Sequence, residues 1–113
     1  MIRIYGIKAC DTCRKALKWL EAEGRAHQWR DIREQPQDEF TLRRWLEAVG
    51  PETLVNRRST TWRQMDETSR TAAMDPAESV GVLLAHPTLV KRPVFECEGK
   101  VLVGFNATVR EAL

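Results

Sequence analysis

The chain has 113 residues, the length of one ordinary domain, of which 42% are hydrophobic and 30% are charged. This composition is typical of a soluble globular protein and excludes a disordered chain. The 18 basic and 16 acidic residues are mixed along the chain and leave a net charge of +2, so nucleic-acid binding is not expected. The longest apolar run, Val80 to Ala85, is much shorter than the roughly 20 residues of a membrane span, so no membrane association is expected.

Cysteine usage indicates the compartment. The chain has 3 cysteines, an odd number that does not fit the disulfide framework of a small secreted protein. The N-terminus also lacks the pattern of a signal peptide. We therefore expect a cytoplasmic protein, and in the cytoplasm a C-x-x-C pair is more often redox-active or metal-binding than structural.

The first third of the chain reads as strand, helix and strand. Residues 1–5 form a short apolar strand that ends in a turn at Gly6. A helix is predicted over residues 11–23, because its apolar positions keep the i, i+3, i+4, i+7 spacing of one buried face. These positions are Cys13, Ala16, Leu17 and Leu20. Gly24 closes this helix, and residues 27–32 form a second strand.

The middle of the chain reads as helical. Asp38 is a good N-cap for a second helix with apolar residues in phase. These residues are Leu42, Trp45, Leu46 and Val49. Gly50-Pro51 is predicted to stop that helix. Residues 52–60 are expected to be irregular, and a further helix is expected over residues 61–73.

Another helix is predicted to begin at Asp75-Pro76-Ala77-Glu78, which supplies a cap, a proline at the first position and an acidic residue at the third. It ends near His86-Pro87. Two strands, 94–97 and 100–103, are joined at Glu98-Gly99 as a hairpin, and a last helix covers residues 106–113.

This order of elements predicts the fold class. A strand–helix–strand unit implies a parallel pair with a right-handed crossover, and the closing hairpin adds antiparallel strands. We therefore predict an α/β protein with a mixed four-stranded sheet, βαβ then ββα, flanked by helices. The middle of the chain, about 38–86, is predicted to be helical, and we expect a single domain over 1–113. This order, with a C-x-x-C at the first strand–helix junction, is what a thioredoxin-like domain shows, and we expect that fold.

The cysteines Cys10 and Cys13 lie at the start of the first helix. The N-terminus of a helix offers free N–H groups and a partial positive charge, which stabilise a thiolate. Cys10 is at that point and is predicted to be the exposed attacking sulfur. Cys13 lies one turn further on, on the buried face, and is either a resolving thiol or a small apolar side chain.

Two other interpretations of the cysteine pair remain. A zinc site needs four ligands, but no second C-x-x-C and no closely spaced histidine pair accompanies the first, since Cys97, His27 and His86 are scattered. No metal is therefore expected. Two ordinary buried thiols are the other alternative. Cys97 is expected to be inert.

Three segments together resemble one family. They read YGIKACDTCRKALKWLE, LVNRRSTTW and HPTLVKRPVFECEGKVLVGF, and they cover nearly the whole chain in order. They resemble the ArsC-like family of arsenate reductases and Spx proteins, most closely its small YffB-like branch. The resemblance implies a thioredoxin-like fold with an inserted helical segment.

The resemblance also implies roles for residues. Cys10 matches the cysteine that attacks the oxyanion in arsenate reductases. Arg92 matches a substrate-binding arginine, and Pro93 matches the cis-proline that lies against the active cysteine. Arg58 matches an arginine of the YffB-like and Spx branches, with Arg57 as a possible substitute.

Two further residues are candidates beside these. Lys8 lies either at the rim of the site or in solvent, and it is retained as a substrate-binding candidate. Thr12 is expected to cap the helix and to support Cys10.

The predicted activity is a glutathione-dependent thiol–disulfide reductase. By resemblance glutathione is the reductant, and Arg58 and Arg92 bind an anionic ligand such as its carboxylates. The arsenate reductases carry a third arginine just beyond the last hairpin, where this chain has Val103-Gly104-Phe105-Asn106. Weak arsenate reduction is therefore a second enzymatic possibility. Expected partners are glutathione, with glutaredoxin or an oxidised protein thiol, and the chain is expected to be a monomer.

A regulatory function is the alternative from another class. Spx proteins share the fold and a C-x-x-C at the same place, where the pair is a redox switch on a protein that binds RNA polymerase. Spx chains run longer at the C-terminus than Leu113, which favours the enzymatic interpretation.

Overall fold

The computed structural model describes all residues from 1 to 113. The chain divides into two compact units: Met1–Gln35 together with Arg92–Leu113, and Pro36–Lys91. The predicted helical insertion of about 38–86 lies within the second unit. No helix combines the length and the apolar character that crossing a bilayer requires.

Four strands and seven helices form the structure. The strands are β1 Ile2–Gly6, β2 His27–Asp31, β3 Val94–Cys97 and β4 Lys100–Val103. The helices are α1 Asp11–Ala22, α2 Glu39–Val49, α3 Pro51–Leu54, α4 Thr60–Gln64, α5 Glu67–Met74, α6 Ser79–Ala85 and α7 Ala107–Ala112. A short 3₁₀ helix covers Pro87–Leu89. Every predicted strand is present to within one residue at each end.

The first unit is built on a mixed sheet in the order β2-β1-β3-β4. Strand β1 pairs parallel with β2 and antiparallel with β3, and β3 pairs antiparallel with β4. This confirms the predicted thioredoxin-like α/β fold. The hairpin turn is at Glu98-Gly99, where both residues have positive φ angles, 51° and 79°. Because a type I′ turn needs positive φ at both central residues, this turn matches the twist of the two strands.

One face of this sheet packs on α1 and α7. Ile2 and Ile4 alternate along β1 and point to this face, and Phe95 lies opposite Ile4 on β3. They pack with Ala16 and Leu20 of α1, and with Val109 of α7. The same apolar spacing that predicted α1 therefore fixes which face of the helix lies on the sheet. The N-terminus of α1 is held at the carboxyl end of β1, where the C-x-x-C pair lies.

The second unit is helical. Asp38 caps α2 through its side chain, which accepts a hydrogen bond from the Thr41 N–H at 2.8 Å. Helix α2 packs on α6, and α6 packs on α5, with Trp45 fully buried. The predicted cap and apolar spacing of α2 are confirmed.

The structure corrects two expectations for the first half of the chain. Gly6 is the last residue of β1 rather than a turn residue. Gly50 does end α2, with a φ of 79°, but Pro51 begins the four-residue helix α3 instead of an irregular segment. Proline is favoured at the first position of a helix, because its missing N–H would have no partner there in any case.

Two helix predictions in the second unit were wrong in detail. The helix expected over 61–73 is two helices, α4 and α5, because Asp66 caps a new helix by accepting a hydrogen bond from the Ser69 N–H at 2.7 Å. The helix expected at Asp75 begins at Ser79. The Asp75 carboxylate does accept from the Ala77 N–H at 2.8 Å, but it closes a turn that precedes the helix.

Candidate functional site

Cys10 is the N-cap residue of α1. It follows a turn in which the Cys10 N–H donates to the Ile7 carbonyl at 3.0 Å, and its own carbonyl accepts the first helical hydrogen bond, from the Arg14 N–H at 3.0 Å. Its backbone is extended, with φ −81° and ψ 120°. A thiol in this position faces the unpaired N–H groups of the first helical turn and is half-buried.

The surroundings of Cys10 favour its thiolate. Partial burial raises the pKa of Cys10, but the backbone N–H of Cys13, the Cys13 thiol, the backbone N–H of Thr12 and the charge of Arg92 together lower that pKa below the value of an ordinary cysteine. The N–H and S–H groups donate hydrogen bonds to the Cys10 sulfur, and the positive charge of Arg92 attracts the thiolate. These surroundings are the ones that an attacking thiolate needs, and the nucleophilic role of Cys10 stays a prediction.

Cys13 is in the opposite situation. Its side chain is fully buried, at 0% exposure. Burial, with the nearby charge of Cys10, raises the pKa of Cys13 to about 12, although a backbone contact with Ile7 acts in the other direction. Cys13 therefore stays a protonated thiol at neutral pH, close enough to Cys10 to donate its S–H.

Arg92 and Pro93 directly precede β3, and Arg92 lies close enough to both cysteines for its charge to act on them. The Arg92 side chain is half-buried, and its charge acts on both Cys10 and Cys13. The Arg92–Pro93 peptide bond is cis, as the resemblance implies. Pro93 is buried, and its carbonyl accepts from the Gly104 N–H at 2.8 Å. The structure therefore brings Cys10, Cys13 and Arg92 together.

The structure places Lys8 on the surface and contradicts the predicted side-chain cap of Thr12, while the substrate-binding role of Lys8 stays a prediction. The Lys8 side chain is exposed. Its backbone carbonyl accepts a hydrogen bond from the Arg14 guanidinium at 3.4 Å. Thr12 is exposed inside the first turn, and the cap position that was predicted for it belongs to Cys10. Thr12 supports Cys10 through its backbone N–H, not as a capping side chain.

Arg58 belongs to the second unit, in the turn between α3 and α4. Its side chain is exposed, and its backbone N–H donates to the Asn56 side chain at 3.1 Å. Arg57 is likewise exposed. Their predicted roles in anion binding remain predictions.

Gly6 and Trp29 lie beside the site, although the sequence analysis predicted no functional role for either residue. A Cβ atom placed on Gly6 would overlap Cys13 Sγ, and it would come within 3.1 Å of the Trp29 ring. Gly6 and Trp29 therefore line the space that Cys13 occupies. A glycine inside a strand is the sequence signal that could have indicated this close approach.

The sheet order and the placement of these groups define a thioredoxin-like protein, with a half-buried cysteine at the start of its first helix. The chain belongs to the ArsC family, whose family model matches residues 5–113. An uncharacterised protein of Haemophilus influenzae is 44% identical over 106 residues, which are 94% of this chain and 92% of that protein.

Solved structures agree with this placement. A YffB protein is 40% identical with a TM-score of 0.91, covering 99% of this chain and 97% of its own. An arsenate reductase related protein from Brucella melitensis is 43% identical with a TM-score of 0.78, covering 98% of this chain and 92% of its own. The YffB-like branch predicted from sequence is therefore supported. The transcriptional regulator Spx of Lactiplantibacillus plantarum is more distant, at 24% identity over 108 residues, which are 94% of this chain and 80% of that protein.

Proposed function

We propose that this protein is a glutathione-dependent thiol–disulfide reductase in which Cys10 is the nucleophile. The observation that carries the proposal is the pairing of a lowered Cys10 pKa with a buried, protonated Cys13 and a nearby Arg92. A thiolate that forms below the pH range of ordinary thiols is the group that attacks disulfides at neutral pH.

The reaction proceeds by two kinds of exchange. The Cys10 thiolate attacks one sulfur of a substrate disulfide, forming a mixed disulfide with Cys10 and releasing the other sulfur as a thiolate, which takes up a proton. A glutathione thiolate then displaces the remaining substrate thiol, which leaves glutathione on Cys10. A second glutathione attacks that adduct, restores Cys10 and leaves as oxidised glutathione. The disulfide gains two electrons, and two glutathione molecules lose them.

An external thiol suits this site better than an internal one. A resolving cysteine must itself be a thiolate, and burial, the largest cause of the raised Cys13 pKa, still opposes ionisation of Cys13 after the charge of Cys10 has been lost in the mixed disulfide. Glutathione reaches the half-buried Cys10 from solvent without that penalty. Weak arsenate reduction would use the same Cys10 attack on arsenic in place of sulfur.

The first test is intact mass spectrometry of the wild-type protein after equilibration in a buffer of oxidised and reduced glutathione. We expect a gain of one glutathione, which peptide mapping locates on Cys10. A wild-type protein that takes up no glutathione and loses no hydrogens over the whole redox range contradicts the proposal.

Arg92 is proposed to stabilise the thiolate and to bind a glutathione carboxylate. We expect Arg92→Met to raise the pKa of Cys10 and to slow its alkylation at neutral pH by several-fold to about tenfold, since one pKa unit changes the thiolate fraction tenfold. Arg25→Met is the matched control, because Arg25 is also half-buried but lies beyond the opposite end of α1. Equal alkylation rates in the two variants would show that Arg92 does not stabilise the Cys10 thiolate. Arg58→Met, assayed for the KM of glutathione, tests the predicted role of Arg58.

A redox switch resembling Spx is the second candidate, because the Cys13 thiol lies within hydrogen-bond reach of Cys10. In that case the same mass experiment shows a loss of two hydrogens and no glutathione. Capture of RNA polymerase by the oxidised but not the reduced protein would then support the regulatory function.

A further inference from the structure

We propose that Gly6 is a positioning residue for Cys10: the missing side chain at the end of β1 leaves the space that Cys13 Sγ occupies, and from there the Cys13 thiol donates a hydrogen bond to Cys10. This inference rests on the proposed function, because it describes how the attacking thiolate is stabilised. It gives Cys13 a role as a hydrogen-bond donor rather than as a resolving thiol.

The steric part of the argument is the contact between Gly6 and Cys13. A Cβ on Gly6 would overlap Cys13 Sγ, and real Cβ atoms do not approach another atom that closely. The φ angle of Gly6 is not in the left-handed region, since the positive-φ glycines are Gly24, Gly50, Gly99 and Gly104. Strand backbone accepts any residue, so glycine at this position is explained by space and not by conformation.

The electrostatic part of the argument is the hydrogen bond from Cys13 to Cys10, which depends on the rotamer of the Cys13 side chain. The Cys13 side chain has one rotatable bond that moves Sγ, so an added Cβ at residue 6 can be accommodated by rotation to another rotamer. We expect that rotation to move Sγ out of the position from which it donates to Cys10. Gly6→Ala is therefore expected to remove the hydrogen bond to the Cys10 thiolate rather than to prevent folding. Hydrogen bonds to charged groups are stronger than those between neutral groups.

The Trp29 ring also borders the space beside Gly6. Two atoms of the Trp29 ring lie 3.1 and 3.3 Å from the position of the added Cβ, so the ring borders the same space from β2. The Cys13 side chain itself is fully buried. Gly6 and Trp29 thus border the space beside Cys13 Sγ, and Cys13 links that space to Cys10 through its hydrogen bond.

The test is a set of variants read out by the pH dependence of iodoacetamide alkylation at Cys10, located by peptide mass spectrometry. Gly6→Ala is expected to raise the pKa of Cys10 by about one unit, which lowers the thiolate fraction about tenfold well below that pKa. Cys13→Ala is expected to do the same, and Gly6→Ala combined with Cys13→Ala is expected to add nothing further. Gly81→Ala is the matched control, because a Cβ on Gly81 meets nothing within 4 Å.

Cys13→Ser separates donation from packing. A serine hydroxyl keeps a donor at residue 13, so Cys13→Ser is expected to hold the pKa of Cys10 below that of Cys13→Ala. A wild-type pKa in Gly6→Ala, effects of Gly6→Ala and Cys13→Ala that add in full, or equal pKa values in Cys13→Ser and Cys13→Ala each overturn the proposal.

Thermal unfolding covers the case in which Gly6→Ala does not fold. Recovery of the fold when Cys13→Ala is added supports the proposal, because the overlapping sulfur has been removed. A double variant as unstable as Gly6→Ala shows that Gly6 accommodates Trp29 instead, and it overturns the proposal. Because alkylation needs no disulfide substrate, this inference and the glutathione-dependent activity can fail separately.

Discussion

Cys10→Ser is expected to abolish glutathione-dependent reduction of a small disulfide, with a loss of at least about a hundredfold in kcat/KM. A serine hydroxyl is not ionised at neutral pH and cannot form the mixed disulfide through which the electrons pass. The helix N-terminus, the Cys13 thiol and Arg92 remain in place in this variant, yet none of them can attack sulfur. The measurement is the rate of oxidised glutathione formation with excess reduced glutathione.

Two variants serve as controls for Cys10→Ser. Cys97 lies half-buried on β3, packed against the apolar core of the sheet, so Cys97→Ser is expected to leave kcat/KM unchanged. Cys13→Ser is expected to keep most of the activity, with a loss below about tenfold, because it retains a donor beside Cys10. Residual activity in Cys10→Ser equal to that of wild type would show that Cys10 is not the nucleophile. A loss in Cys13→Ser as complete as in Cys10→Ser would support a dithiol mechanism.

The parts of the fold that sequence predicted are those with a local physical cause. The apolar spacing of α1, the cap at Asp38 and the turn at Glu98-Gly99 each depend on neighbouring residues, and all three are confirmed. Helix α3 was missed because Pro51 was read as a stop for α2. Proline both ends one helix and begins another, and the choice depends on whether the following residues pack. Here Leu54 is fully buried, which holds that short helix in place.

The candidate site, like the fold, has parts that could be predicted from the sequence and parts that could not. The lowered pKa of Cys10 depends on its place before a helix, which could be predicted from the sequence. The proximity of Arg92 and the cis bond at Pro93 came from the family resemblance, because they lie more than 80 positions away in sequence. Gly6 at the end of β1 signals a close approach of some group, but the sequence does not show that this group is Cys13, since that depends on how α1 is placed over β1 to within about an ångström. Periodicity identifies the buried face of a helix but not the atom that each residue contacts.

That placement of α1 depends on the core of the first unit, and Phe95 is at its centre. Phe95→Ala is expected to destabilise the protein by about 3–5 kcal/mol, a large part of the roughly 5–15 kcal/mol that holds a domain folded. The Phe95 ring is fully buried, lies opposite Ile4 across the β1–β3 pair, and has its centroid 6.4 Å from that of Phe105. Removing the ring leaves a cavity that a close-packed sheet and helix fill only in part.

Urea unfolding followed by circular dichroism measures this loss, and Phe40→Ala is the matched control. Phe40 undergoes the same chemical change but is 70% exposed, with the Arg44 guanidinium 5.7 Å from its ring centroid. Its loss is therefore expected to cost less than about 1 kcal/mol. Because the same core holds α1 on β1, Phe95→Ala should also raise the pKa of Cys10 while the protein is still folded. If Phe95→Ala is as stable as Phe40→Ala, the sheet core does not hold the cysteine site in position.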